Sequence, residues 1–185
     1  MQWKDFEYNG VTYDLRHLCP RTLQFERPAQ GDKLAIIFSV DVIFSLHCFT
    51  HERPPCAYDM NLTYSDAREM RLFDFERYEL SKKLPMIIET LAQRKCFHTG
   101  HGNFVTVEVV SGDGVTVDYH VFFTASKSDR KGRVNIYIQS AYVPDRKVGT
   151  SGKSIRFLVI LHNTMNKLLI READSTTKCN GFVRV

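Results

Sequence analysis

Val105-Thr106-Val107-Glu108-Val109-Val110-Ser111-Gly112-Asp113-Gly114-Val115-Thr116-Val117-Asp118-Tyr119-His120-Val121-Phe122-Phe123 is the stretch that decides the fold class. Val105, Val107 and Val109 alternate with polar residues, and Val115, Val117, Tyr119, Val121 and Phe123 alternate again. The Ser111–Gly114 segment between them has the turn chemistry of a β-hairpin. A polar loop from Ala125 to Gly132 follows. After it, Val134, Ile136 and Ile138 predict a third strand, with Ser140 and Tyr142 continuing the same face.

On the N-terminal side of the hairpin, Leu80, Leu84, Ile87, Ile88 and Leu91 recur at helical spacing. They predict an amphipathic helix between about Phe75 and Arg94. Pro85 calls for a kink, or for a start near Ser81 or Leu84. Further out, Val11–Phe25 reads as an irregular strand stopped by Pro28 and Gly31. Leu34–Phe49 reads as one long strand or two, and His51–Ser65, with Pro54-Pro55, as a loop. Ile155–Leu161 fits a strand turned back through residues 162–166 into Leu168–Arg171. Ile155, Leu158, Val159, His162 and Met165 fit a helix face as well; the β-branched and aromatic bias favours the hairpin. The expectation is α+β: a single domain over residues 1–185, mostly antiparallel sheet, with one main amphipathic helix packed on it.

Composition agrees. The 185 residues are 43% hydrophobic and 25% charged, long enough for one core and short for two. The 13 Phe and 8 Tyr favour a sheet-rich core. No apolar run reaches the roughly 20 residues of a membrane span, and residues 1–5 lack a signal-peptide layout. A cytoplasmic protein is expected, with its five cysteines reduced rather than paired.

The net charge of +4 is unevenly spread. Residues 127–156 hold eight basic and two acidic side chains, +6; residues 52–79 hold seven acidic and four basic, −3. Such polarity steers a polyanion to one side. Lys127, Arg130, Lys131, Arg133, Arg146 and Lys147 are the candidate nucleic-acid contacts, against a plainer reading as solvated loop charge. Gly149–Ser154 mimics a phosphate-binding loop, but Lys147 stands where that motif has its first glycine.

Four histidines and three cysteines fall in two clusters, His47-Cys48-Phe49-Thr50-His51 reaching Cys56, and Cys96-Phe97-His98-Thr99-Gly100-His101. One reading is a zinc site drawn from Cys48, His51, Cys56, Cys96, His98 and His101, although the spacings match no regular knuckle pair. Another is RNA cleavage without metal or other cofactor. There His98 or His101 would move the protons and cationic side chains would hold the phosphorane charge. The plain alternative is core cysteine and solvated loop histidine.

A helix leading through a His-bearing loop into an antiparallel meander, with the late strand Ile138-Gln139-Ser140-Ala141-Tyr142-Val143-Pro144, resembles the barnase–EndoU–colicin–RelE superfamily. These are small metal-independent endoribonucleases, often toxins of mobile elements. The resemblance covers roughly Leu80–Pro144 and rests on layout. It implies His101 or His98 as acid or base, Lys127 or Arg133 as the phosphate-binding cation, and Ser140 and Tyr142 as a polar pair. The extra strands between Val11 and Phe49 depart from such a nuclease. An endoribonuclease or RNA-binding protein is therefore the leading expectation, with RNA or another polyanion as partner and no membrane. A non-catalytic regulator binding a protein or nucleic acid, or a protein paired with an inhibitor, is the alternative, stabilised in one version by zinc.

Overall fold

A computed structural model describes residues 2–32, 34–99, 102–112, 115–145 and 153–170. Its elements, in chain order, are β1 (Phe6–Tyr8), β2 (Val11–Tyr13), β3 (Arg21–Arg27), β4 (Ile36–Phe44), β5 (Thr50–His51), β6 (Thr63–Ser65) and β7 (Met70–Phe73). They continue with α1 (Phe75–Ser81), α2 (Leu84–Glu89), β8 (Lys95–His98), β9 (Phe104–Gly112), β10 (Val115–Lys127), β11 (Arg133–Tyr142), β12 (Ile155–Arg156) and α3 (Phe157–Met165).

Seven strands make the main sheet in the order β12-β8-β9-β10-β11-β4-β3. The β9–β10 hairpin pairs from Phe104↔Phe123 to Gly112↔Val115, as the alternating valines predict. The architecture is α+β, and its pairings are antiparallel except β11 on β4. A smaller sheet, β5-β7-β6, and the β1–β2 ribbon complete it. No helix among the described residues is long and apolar enough to cross a membrane.

One face of the main sheet is the core. Register places Phe38, Val40, Val42 and Phe44 of β4 beside Val134, Ile136 and Ile138 of β11 and Phe123 of β10, all essentially inaccessible. Burial of this apolar surface is the main stabilising contribution. Helix α3 lies on that face: Phe157 packs edge-on against Phe123 at 6.0 Å and Phe25 at 5.0 Å.

The helical segment after β7 is divided. Asp74 caps α1 by accepting from the Arg77 amide at 3.0 Å. The chain then breaks at Lys82–Lys83 and restarts as α2 with Pro85 in its first turn. A continuous helix would set the proline ring against the Ser81 carbonyl and leave that acceptor without its donor. Leu84, Ile87, Ile88 and Leu91 still share the buried face that their spacing predicts.

Residues 155–165 depart from the expected hairpin. Only Ile155–Arg156 are extended, and the rest is α3. Phe157, Ile160 and Leu161 are its buried residues, a three-and-four spacing that the β-branched bias masked.

Candidate nucleic-acid interface

The second face of the main sheet is open along β4 and closes toward the far end of β10, where His120, in the Tyr142 row, is buried. Ile37 is 63% and Ile43 38% exposed on it, although both sit in a central apolar strand. Along β11 the expected alternation fails at one point. Phe123 pairs with Ile138 but Phe122 pairs with Ser140, so Gln139 is an extra residue, a β-bulge. The inserted residue shifts the phase of everything after it. Ala141 goes into the core, fully buried, and Ser140 and Tyr142 turn to the open face. Their expected position beside Val134, Ile136 and Ile138 is thus corrected by the bulge.

Aromatic side chains gather on the open face as a result. Phe122 and Tyr142 stack with ring centroids 5.4 Å apart and planes 18° from parallel. Tyr137 lies opposite Thr124, one cross-strand step away, about 7 Å along the strand from the Phe122 row. All three rings are half-buried. Arg77 holds its guanidinium 5.1 Å from the Tyr142 ring centre, fixed by donation to the Thr50 carbonyl at 2.8 Å. Arg68 stands beside Tyr137; the Tyr137 hydroxyl, then the Asp66 carboxylate, hold its guanidinium even more firmly protonated than usual.

The basic residues lie at the tip joining β10 to β11. Lys127, Arg130 and Lys131 are exposed. The turn closes with Gly132 at φ +75°, a left-handed conformation that suits glycine, and the Arg133 amide donates to the Arg130 carbonyl at 3.2 Å. Arg133 differs from its neighbours: its guanidinium donates to Asp41 Oδ1 at 2.7 Å, so its charge is partly spent within the sheet. Arg146 and Lys147 lie outside the described residues.

The histidines are placed otherwise. His98 ends β8 in the row His98–Phe104–Phe123–Ile138, which faces the core rather than the open surface. Its ring packs 4.8 Å from Phe104, and Nε2 is buried without a hydrogen-bond partner. Ser140 and Tyr142 are on the other side of the sheet, so His98 and that pair are not brought together. His101 lies outside the described residues.

The Cys/His clusters scatter as well. Cys48 and Cys96 are wholly buried, and burial pushes each thiol up to about 12, where it is a hydrophobe rather than a ligand. His51 bonds to Asp74 at 3.2 Å, His47 to Glu69 at 2.7 Å, and Cys56 is exposed. Among the described residues no group of three His, Cys, Asp or Glu side chains is placed to hold a metal ion.

Sequence reasoning singled out the cations and missed Phe122, Tyr137, Arg68 and Arg77. The signal for Phe122 and Tyr137 was present, since both are aromatics at outward phases of alternating strands, where polar residues are usual.

A chemistry follows from this arrangement. The uncovered parts of half-buried rings on a sheet offer surface on which bases stack, and ammonium and guanidinium groups at its tip meet phosphates.

A family model described as the YjaZ family matches residues 5–165. Protein YjaZ of Escherichia coli (strain K12) is 30% identical over 173 residues, covering 91% of this chain and 94% of that protein. No solved structure matches.

Proposed function

The chain belongs to the YjaZ family, and for it we propose a non-catalytic role: binding single-stranded RNA, in the cytoplasm, across the open face of the main sheet. Phe122, Tyr137 and Tyr142 form the stacking platform, and Lys127, Arg130 and Lys131 take the phosphates beyond it. The observation that carries this reading is the bulge at Gln139, which turns Tyr142 onto the face of Phe122 and builds a half-buried aromatic stack on the same hairpin as the basic tip, roughly 17 Å from it along β10. Base–aromatic stacking is sequence-tolerant because every base has a π-face, so weak sequence preference is expected.

The position of His98 supports binding rather than cleavage. A general base must reach the proton it removes, and the His98 Nε2 is enclosed.

Titrating a labelled single-stranded RNA by fluorescence anisotropy tests the reading. Binding should weaken steeply as salt rises, and Phe122→Ala should weaken it by about 1–3 kcal/mol. Neutralising Lys127, Arg130 and Lys131 together should flatten the salt dependence. Unchanged affinity in both variants, or no binding at low salt, would sink it. RNA that is degraded in chelator, with the activity lost in His101→Ala, would replace it with the endoribonuclease reading.

A further inference from the structure

Helix α3 carries two apolar stripes, and the core uses only one. Phe157, Ile160 and Leu161 are buried against the sheet. Leu158 and Val159 are not; Val159 is 37% exposed. Together with His162 they form the wall of a cavity of about 490 Å³ between α3 and the end of β3, closed on the other side by Pro28 and Ala29. Arg27 and Arg156 stand at its edge. Arg27 shares the phase of Phe25 in β3, so it rises from the helix-covered face, opposite the aromatic platform.

Both cations of this cavity lack a carboxylate partner. Arg16, Arg21, Arg68, Arg71, Arg77, Arg94 and Arg133 each reach a carboxylate. Arg27 and Arg156, like Arg53 and Arg130, reach none among the described residues, and no acidic side chain lines the cavity. Two like charges flanking one recess without a counter-ion repel each other. The arrangement is stabilised when an oxyanion enters, because each guanidinium presents paired donors that match carboxylate or phosphate geometry. His162 and Gln30 add polar edges that reach the same space. The volume is that of a small-molecule site, and the mixture of an apolar wall with a few polar groups is the usual one.

We propose that this cavity is a binding site for a small organic anion with a carboxylate or phosphate head and a short apolar body. The head lies between Arg27 and Arg156, and the body lies along Leu158 and Val159 under Pro28. The site is independent of RNA binding, since it occupies the other face of the sheet.

Calorimetric titration of the full chain with octanoate, octyl phosphate and inorganic phosphate tests this. At least one octyl probe should bind at least tenfold more tightly than inorganic phosphate, and the stronger of the two identifies the head. The Arg27→Gln/Arg156→Gln double variant, with its fold verified by circular dichroism, should bind that probe at least tenfold more weakly. Val159→Trp should fill the wall and weaken the octyl probe, with its cations untouched. RNA affinity should stay within twofold in all variants. The proposal is overturned if neither octyl probe binds, if inorganic phosphate binds as tightly as both, or if both variants bind like the parent. Flotation with phosphatidylglycerol vesicles, without uptake of the soluble probes, overturns it in favour of a lipid surface.

Discussion

Arg133 Nη1 and Asp41 Oδ1 meet at 2.7 Å across the parallel pairing of β11 on β4, and Thr22 Oγ1 donates to the same carboxylate oxygen at 2.6 Å. Three strands are thereby tied on the open face, and one cation of the basic region is held back from solvent. Both partners are partly exposed, so the pair is worth roughly 0.2–1 kcal/mol of stability. Asp41→Asn should cause a loss of that size in urea unfolding. It should also release Arg133, tighten RNA binding and steepen the salt dependence. Weaker RNA binding in this variant would show that Arg133 does not lie on the path of the strand.

Phe122 and Phe123 are neighbours in sequence and opposite in role. Phe123 is fully buried, and Phe123→Ala should destabilise by about 3–5 kcal/mol through lost burial and the cavity left behind. Phe122→Ala forfeits mainly its stack with Tyr142, about 0.5–1.5 kcal/mol, and loses RNA affinity instead. Paired denaturation and anisotropy curves separate the two; equal stability losses would contradict the assigned faces.

His17 and His120 titrate below the ordinary histidine range, in each case first because burial disfavours the charged ring. His17 Nε2 lies 2.7 Å from Ser81 Oγ, whose hydroxyl donates to the Tyr78 carbonyl. The ring nitrogen must therefore be the donor. His120 Nδ1 is buried without a partner. Because the unfolded chain binds these protons more readily, the stabilisation is complete above about pH 6.5 and is lost as pH falls below it. The melting temperature should fall from pH 7 to pH 5.5, and His120→Phe should reduce that fall. An undiminished slope in the variant would assign the effect elsewhere.

Thiol reactivity should follow burial. Cys56 is exposed, and Cys48 and Cys96 are enclosed with thiols pushed up to about 12. In the native protein a thiol reagent should label Cys56 and spare Cys48 and Cys96 until denaturant is added. The melting temperature should not change in chelator. A chelator-induced drop would restore the zinc reading.

The β9–β10 hairpin was legible in the sequence because strict two-residue alternation has one folded interpretation when one face is buried. The apolar face from Leu84 to Leu91 was legible for the same reason at helical period. The division of that segment into α1 and α2 was legible only as a constraint, through Pro85. The bulge was invisible, since Ile138-Gln139-Ser140-Ala141-Tyr142 reads equally well with or without an extra residue. Its phase is set by what Phe122 and Phe123 need on their own faces. Residues 155–165 were ambiguous because intrinsic propensity differs by only tenths of a kcal/mol per residue, whereas docking Phe157 between Phe25 and Phe123 is worth several times more.

By itself, then, the sequence determined the α+β class, the central hairpin, the buried helical face and the location of the positive charge. These depend on local period and composition, which the chain carries at every length scale. Tertiary structure alone decided which way Ser140 and Tyr142 point, that the His98 Nε2 is buried, that α3 is a helix, and which arginines lack a counter-ion. Each of these depends on contacts between residues far apart in the chain, and packing energies there exceed local preference.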